Sequence, residues 1–507
     1  MKRIALIVFC LWTLAGQASD FETIGLDQLR LMVPTLTGTG IHVAQPEAGA
    51  PTWQVNPAAV SQPTSLFTWI SDSGSATNYP NSLGSESWHA NEVGKRFYSV
   101  GTGVVPGVAH VDSYDANHFY NTLIASEVAI PARVVNQSFI FAAELPVLDR
   151  DYDGYVSRYG TVFASGAGNG GAVSSPATAY NVIAVGAHGG LSSAGPTLDG
   201  RCKPDITAPG SMTSFSTPLV AGAAAVLAQA AEREDGGPGT ASDARDPKTI
   251  KALLLNSATK PADWTNSPVQ PLDYRYGAGV LHISSAYRQL RGGRHAPNAT
   301  ESLSVGAPHP PANTSANLPT RRGWARQSIS STLTRAGLHH YFIDLTGVAG
   351  RNVTATLVWN RQEGQAGINN LDLFFYDVGS GALIASSESV VDNVEHMHVE
   401  GLPGSRYNLQ VLKHGGASGR VTASEMYALA FEFGAADPPR LEQQQISAGQ
   451  FQVRIMGEPN QLYALEASST LLGWTALVTN KTSAAGWFQF SDLAGGPQRF
   501  YRAAERW

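Results

Sequence analysis

Residues 201–229, RCKPDITAPGSMTSFSTPLVAGAAAVLAQ, are the stretch that decides the fold. Small and polar residues lead into a run rich in Ala and Leu, which predicts a long helix with Pro218 in its first turn, where a missing N–H costs nothing. Ser214 then lies at the positive end of the helix dipole, where a backbone N–H can face a developing oxyanion. A serine in this position is otherwise an ordinary helix cap, so the other polar segments of the chain decide between the catalytic and the capping interpretation.

Three further segments end predicted strands or begin helices with polar residues. VFASGAGNGG ends a strand in a Gly-rich turn with Asn169, whose neutral amide suits an oxyanion hole, although Asn and Gly also favour left-handed turns. SESWHANEVGKRF starts a predicted helix at His89, and histidine is the natural general base near neutral pH. GTGIHVAQPEAGA ends a strand at Glu47, a carboxylate that can orient an imidazole, with Glu92 and Asp112 as alternatives.

In the order acid, His, Asn, Ser, these segments resemble the subtilisin-like (subtilase) family of serine proteases over roughly residues 38–288. TSFSTPLVAG resembles the block around the family's nucleophile, and DPKTIKALLLNSA and YGAGVLHISSA resemble its late helix and closing segment. The resemblance implies a serine endopeptidase that works through an acyl-enzyme. Its implied residues are Ser214 as nucleophile, His89 as general base, Glu47 as orienting acid and Asn169 as oxyanion donor.

The same resemblance implies which residues border the substrate. Ser138, Phe139 and Ile140 follow a predicted strand and would form one edge of the cleft, although they fit a core equally well, and Gly168 is a further expected substrate-binding residue. Protein or peptide substrates are therefore the expected partners.

The sequence departs from the family pattern near the implied site. Glu47 stands where the family has aspartate, and an Ala-Asn pair follows the histidine. Only two residues separate Gly210 from Thr213, so we expect the cleft to be reshaped there. Glu47 and the short segment before Ser214 support a second hypothesis, a fold that has lost catalysis and acts as an extracellular binding or adhesion scaffold. A lipase or esterase is disfavoured, because Ser214 does not lie in a Gly-x-Ser-x-Gly elbow.

The predicted fold class is α/β: a subtilisin-like, mostly parallel sheet flanked by helices, followed by two all-β, jelly-roll or sandwich-like domains. Strand and helix patterns alternate up to about residue 290, then a Pro-, Asn- and Ser-rich stretch loses periodicity, and only strand patterns follow. The predicted parts are a signal peptide (1–18), a catalytic domain (19–292), a linker (293–323), a β-sandwich (324–436) and a small β module (437–507).

The N-terminal residues predict export. Lys2 and Arg3 precede a short apolar run and a small-residue cleavage site, so we expect a secreted protein, extracellular or periplasmic, with no membrane span. Cys10 leaves with the signal peptide, and Cys202 then has no partner for an intrachain disulfide. The formal net charge of −6 disfavours nucleic-acid partners, and we expect a monomer.

No cofactor is expected, and calcium is the one alternative considered. Asp149, Asp151, Asp153 and Gly154 match the opening of a calcium loop, but Gly160 stands at the twelfth position, where a bidentate glutamate belongs. Acidic residues gathered near a helix N-terminus are the preferred interpretation.

Overall fold

The protein is represented by a computed structural model that describes residues 19–346, 348, 351–434, 439–447, 450–457, 462–470, 473–483, 487–493 and 499–506. The predicted signal peptide, residues 1–18, and the start of the predicted last module at residues 437–438 lie outside the described residues.

The first part of the chain alternates strands and helices, as the sequence patterns predict. Its strands are β1 (His42–Glu47), β2 (Thr52–Gln54), β3 (Phe67–Ser71), β4 (Gly74–Ala76), β5 (Ser85–Glu86), β6 (His110–Asp115), β7 (Val134–Gln137), β8 (Val162–Gly166), β9 (Ile183–His188) and β10 (Ile206–Pro209). Its helices are α1 (Asp20–Thr23), α2 (Leu26–Met32), α3 (Trp88–Phe97), α4 (Ala116–His118), α5 (Pro146–Tyr159), α6 (Thr213–Glu232), α7 (Ala241–Ala244), α8 (Pro247–Asn256) and α9 (Ile283–Arg291), with shorter helical turns at Pro57–Val60, Thr64–Leu66 and Phe119–Ile124.

Eight of these strands form one sheet in the order β4-β3-β6-β1-β7-β8-β9-β10. Every neighbouring pair is parallel except β3 and β4, which form an antiparallel hairpin. Because successive side chains point to opposite faces, Val43 of β1 packs with α3 and α6, whereas Ala44 packs with α5. The predicted mostly parallel sheet flanked by helices is confirmed.

Helix α6 corrects the predicted place of its proline. The helix begins at Thr213, so Pro218 lies in the second turn rather than the first. A residue there would normally donate its N–H to the carbonyl of Ser214, four residues earlier, and proline cannot. The hydroxyl of Ser138, the residue after β7, donates to that carbonyl instead, at 2.9 Å. This side chain therefore replaces the missing backbone hydrogen bond.

Within the described part of the chain, α6 is the helix that is long and apolar enough to cross a bilayer. Of its apolar window, 94% is buried inside the protein. Burial of this kind is typical of a core helix, and it agrees with the expected absence of a membrane span.

The second part is a sandwich of two antiparallel sheets. Its strands are β11 (Ala299–Ser304), β12 (Arg322–Ser330), β13 (Arg335–Asp344), β14 (Asn352–Trp359), β15 (Leu371–Asp377), β16 (Leu383–Ser387), β17 (Val394–Glu400), β18 (Arg406–Lys413) and β19 (Ser424–Phe433). One sheet has the order β11-β13-β18-β15-β16 and the other β12-β19-β14-β17, and one apolar core fills the space between them. The stretch predicted as a linker, residues 293–323, therefore contains β11, whose weakly apolar sequence forms an edge strand.

The sandwich is packed directly on the first part of the chain. Trp324 and Val358 belong to the same apolar cluster as α8 and α9. Thr356 donates to the side-chain oxygen of Asn256 at 3.0 Å, and the backbone N–H of Cys202 donates to an Asp392 oxygen at 2.8 Å. Buried contacts of this kind hold the two parts together.

The last strands form two small antiparallel sheets. The strands are β20 (Arg440–Ser447), β21 (Gln450–Met456), β22 (Leu462–Ser468), β23 (Thr475–Lys481), β24 (Trp487–Leu493) and β25 (Phe500–Arg506). They pair as β20-β21-β24 and β23-β22-β25 around a small core that includes Ile455 and Leu465. The prediction of C-terminal all-β structure is confirmed.

Candidate active site

The predicted acid and base meet at the C-terminal end of β1. Gln45 and Glu47 lie two residues apart, so both face α3. Gln45 donates to the carbonyl of Ala90 at 2.9 Å and accepts from the Tyr98 hydroxyl at 2.6 Å, which fixes α3 against the strand. The Nδ1 atom of His89 then lies 2.7 Å from Oε1 of Glu47. A carboxylate on Nδ1 leaves Nε2 as the basic nitrogen.

The surroundings shift the pKa of both groups. Burial raises the pKa of the Glu47 carboxyl, and the hydrogen bond and positive charge of His89 offset part of this rise. Burial lowers the pKa of His89, but the hydrogen bond and negative charge of Glu47 outweigh it, so the pKa of His89 is raised. The pair therefore favours a proton on the imidazole once it has been taken up.

The two alternative carboxylates are engaged elsewhere. Glu92 lies on α3 and pairs with Lys95 at 2.6 Å and with Arg96 at 3.1 Å. Asp112 lies on β6 and pairs with His42 at 2.8 Å. Glu47 is thus the carboxylate that contacts the candidate base.

Ser214 is the second residue of α6 and is 9% exposed. Its hydroxyl donates to the carbonyl of Ser138 at 3.3 Å, and the ring of the next residue, Phe215, lies 6.2 Å from the His89 ring. Across the described residues, no hydrogen bond joins the Ser214 hydroxyl to the imidazole. The structure thus joins base and acid, places the residue after the candidate nucleophile near the His89 ring, and turns the Ser214 hydroxyl towards Ser138.

Asn169 lies in the turn after β8 and is held by the start of α6. The backbone N–H and the hydroxyl of Thr213 both donate to Asn169 Oδ1, each at 2.9 Å. The two bonds fix which end of the amide is the oxygen, so the NH₂ group points away from Thr213. Ser193 supports the same turn through hydrogen bonds with both backbone groups of Gly170. Sequence reasoning missed both supporting residues; Thr213 had one signal, its place next to Ser214, and Ser193 had none.

The predicted edges of the cleft face each other. Ser138 is buried, Phe139 is half-buried and the Ile140 side chain is 44% exposed. Gly168 has φ +109°, and a Cβ there would lie 3.6 Å from Cδ1 of Ile140 and only 2.6 Å from Oγ of Ser193. A side chain at Gly168 would therefore be strained and would crowd the cleft.

The short connection before α6 borders a cavity, because Ser211 is one of its lining residues. The N–H of Leu191 donates to the carbonyl of Ser211 at 2.9 Å, which fastens the connection to the loop after β9. The cavity beside this contact has a volume of about 630 Å³ and is also lined by His188, Arg275 and Tyr276.

The acidic residues that match the opening of a calcium loop lie along α5 and do not form a loop. Helix α5 begins at Pro146, and Asp149 belongs to its first turn. Asp149 accepts from the Thr178 hydroxyl at 2.7 Å, and Asp153 pairs with Arg361 at 2.5 Å. Asp149 thus fits the interpretation as an acid near a helix N-terminus, whereas Asp151 and Asp153 lie further along α5.

Comparison with known proteins supports a protease domain. Residues 75–279 match the model of the subtilase family, a range that includes His89, Asn169 and Ser214 and begins after Glu47. No curated protein sequence matches the chain.

Three solved structures are similar to parts of the chain. The protease domain of PatA is 22% identical, with 51% of this chain and 98% of that chain covered, at a TM-score of 0.37. A protease from Pseudoalteromonas arctica is 18% identical, with 53% and 94% covered, also at 0.37. Tripeptidyl peptidase 2 is 13% identical, with 83% and 52% covered, at 0.33. By the match over residues 75–279, this part of the chain is a serine protease domain of the subtilase type.

Proposed function

We propose that the protein is a serine endopeptidase that hydrolyses peptide bonds through an acyl-enzyme on Ser214. The observation that carries the proposal is the 2.7 Å contact between His89 Nδ1 and the buried Glu47 carboxylate, beside the N-terminus of the helix that bears Ser214. A hydroxyl, an imidazole and a carboxylate in this order supply a nucleophile, a base and an orienting charge.

The reaction would begin with rotation of the Ser214 hydroxyl from Ser138 to the imidazole. The hydrogen bond that this rotation breaks, from the Ser214 hydroxyl to the Ser138 carbonyl, is long at 3.3 Å and therefore weak. Nε2 of His89 would take the hydroxyl proton while Oγ attacks the peptide carbonyl carbon. The same proton would pass to the leaving amine, and water would then hydrolyse the ester in the reverse sequence.

Negative charge on the carbonyl oxygen would be stabilised by the Asn169 amide and the backbone N–H of Ser214. Thr213 holds Oδ1 of Asn169, so the NH₂ group is aimed before substrate arrives. The N-terminus of α6 adds its positive dipole end. Donors that need no reorganisation stabilise a developing oxyanion most effectively.

The substrate would lie along Ser138, Phe139 and Ile140, with Gly168 opposite. The half-buried Phe139 and exposed Ile140 offer apolar surface to a side chain, and the missing side chain at Gly168 leaves room for it. An open edge of this kind accepts the interior of a chain, which favours endopeptidase activity.

A fluorophosphonate probe and an internally quenched peptide with both ends blocked test the proposal. The protein should be labelled and should cleave the peptide, whereas Ser214→Ala should do neither and the control Ser73→Ala, at an exposed turn, should do both. If the protein cleaved only peptides with a free end, the assignment of Ser214 as nucleophile would stand, but the endopeptidase assignment would be refuted.

The second candidate is a catalytically impaired scaffold. It is favoured by the Ser214 hydroxyl, which is bonded to Ser138 rather than to His89. Absence of labelling between about pH 5 and pH 9, the range over which a histidine base titrates, would select this candidate.

We further propose that the protein is secreted, which rests on the charged, apolar and small-residue pattern of residues 1–18. N-terminal sequencing of protein from the medium or periplasm of an expressing bacterium should find a chain that starts near Ser19. A full-length chain retained inside the cell would contradict the proposal.

A further inference from the structure

Three potential metal ligands meet at the N-terminal ends of β1 and β6. In the parallel register of these strands, His42 pairs with His110, and Asp112 follows two residues later on the same face. These strand ends lie opposite to the ends that carry Glu47, and nothing in the proposed peptidase chemistry uses them.

The ligand atoms are close enough to share one ion. Nε2 of His42 lies 2.8 Å from Oδ2 of Asp112, and Nε2 of His110 lies 3.6 Å from Oδ1 of the same carboxylate. All three ligand atoms lie within 4.8 Å of one another. Bonds of about 2.0–2.1 Å in a tetrahedral site place ligand atoms roughly 3.3 Å apart, so small side-chain rotations would complete the geometry.

A neighbouring tyrosine supports the ligating carboxylate. The Tyr114 hydroxyl donates to Oδ2 of Asp112 at 3.3 Å, and side chains that orient a ligating carboxylate in this way are typical of protein metal sites. The Thr68 hydroxyl lies 2.9 Å from Nε2 of His110, the nitrogen that would bind the ion, so this contact would be released on binding. The carboxylate is 6% exposed, while His42 and His110 are 24% and 28% exposed, which leaves an entry path for an ion and a water.

We propose that His42, His110 and Asp112 bind one Zn²⁺, with water as the fourth ligand. Two imidazoles and one carboxylate favour zinc or a similar transition metal over Ca²⁺ and Mg²⁺, which prefer oxygen ligands. The ion would join β1 to β6. Its role is structural, because Glu47 lies five residues further along β1, about 16 Å away and on the other face.

The competing account is a histidine–aspartate pair that needs no metal. The chain offers a matched control, since His118 lies 2.6 Å from Asp72. Among the described residues, the cluster of three potential ligands is His42, His110 and Asp112, and the control pair is not part of one. Removing His118 should therefore leave zinc binding unchanged.

Untagged protein carrying Ser214→Ala, which prevents self-digestion, is titrated with Zn²⁺ against a chromophoric chelator. We expect one ion per chain and a higher melting temperature with Zn²⁺ than without it. His110→Gln and Asp112→Asn should each lower the zinc affinity at least about 100-fold, because loss of a supporting residue alone costs about 10–100-fold. Co²⁺ should bind with the visible absorption of a tetrahedral site, and Ca²⁺ should not displace it.

Three results would overturn the proposal: a stoichiometry of zero, an affinity unchanged in both ligand variants, or an affinity lost in His89→Gln instead, which would place the ion at the candidate active site. Circular dichroism checks that each variant is folded. If either ligand variant is unfolded, His42→Gln replaces it under the same criterion. Because the nucleophile is absent throughout, the outcome is independent of peptidase activity.

Discussion

The two ends of strand β1 carry the same kind of pair and differ in what lies next to it. At the C-terminal end, Glu47 bonds to His89 at 2.7 Å, and at the N-terminal end His42 bonds to Asp112 at 2.8 Å. The first pair lies beside the first turn of α6, where the Phe215 ring is 6.2 Å from the His89 ring, and the second lies beside another imidazole, that of His110. A histidine–carboxylate pair alone therefore does not define a function. In the two proposals, the third group distinguishes proton transfer from metal binding.

The largest effect should come from the acid at the C-terminal end. Glu47→Gln should lower kcat about 10⁴-fold with little change in KM, because an amide does not hold the imidazole in the required tautomer. Steady-state kinetics on the blocked peptide measure this. Asp72→Asn, which alters the surface pair with His118, is the control and should keep full activity. A loss of less than tenfold in Glu47→Gln would mean that another carboxylate orients the base.

The next effect concerns Asn169, the proposed oxyanion donor of the candidate active site. Asn169→Ala should lower kcat about 10²–10³-fold and leave KM within a few-fold, because the amide would act mainly in the transition state. Asn121→Ala, at an exposed position, controls for general effects of the substitution. An unchanged kcat would assign Asn169 to the turn alone.

A smaller effect, on zinc affinity, is expected from Tyr114, which supports the proposed metal site at the N-terminal end of β1. Tyr114→Phe should lower the zinc affinity about tenfold, near the lower limit for such residues, because its hydrogen bond to Asp112 is long at 3.3 Å. Chelator competition measures the change, with Tyr79→Phe as a control that removes a tyrosine–glutamate hydrogen bond elsewhere. An unchanged affinity would show that the carboxylate needs no such support.

The smallest predicted effect is a shift in titration at His89. Glu47 outweighs burial and raises the pKa of His89, so in Ser214→Ala the ring should titrate above its ordinary value of 6.5. With Glu47→Gln added, the raising charge is gone while burial remains, so the midpoint should fall. NMR of the histidine ring follows both titrations. A midpoint that rises or stays constant would contradict the assigned cause.

Much of the fold could be predicted because each part of the chain has its own periodicity. Short apolar runs predicted β1, β7, β8 and β9, and alternating runs predicted β13 to β19. β11 was missed because ATESLS has little apolar character, and its pairing with β13 depends on the neighbouring strand. Pro218 was placed in the wrong turn because the helix start at Thr213 is set by contacts with Asn169, which local sequence does not show.

The candidate site was predictable to a similar degree. The polar residue types at strand and helix ends indicated His89, Asn169, Ser214 and Glu47 as candidates. Residue types did not indicate which side chains contact these candidates. Asp112 was considered only as an alternative acid, and its neighbours His42 and His110 carried no motif. Their proximity follows from the pairing of β1 with β6, two strands separated by 62 residues of chain.

By itself, the sequence determined the kinds of structure along the chain and the residue types available for chemistry, because helix and strand propensity and side-chain pKa are local properties. Only the tertiary structure decided which groups meet. It placed Glu47 rather than Glu92 or Asp112 on His89, and it turned the Ser214 hydroxyl towards Ser138. Distances between residues far apart in the chain depend on strand register and helix packing, which arise from the whole core at once.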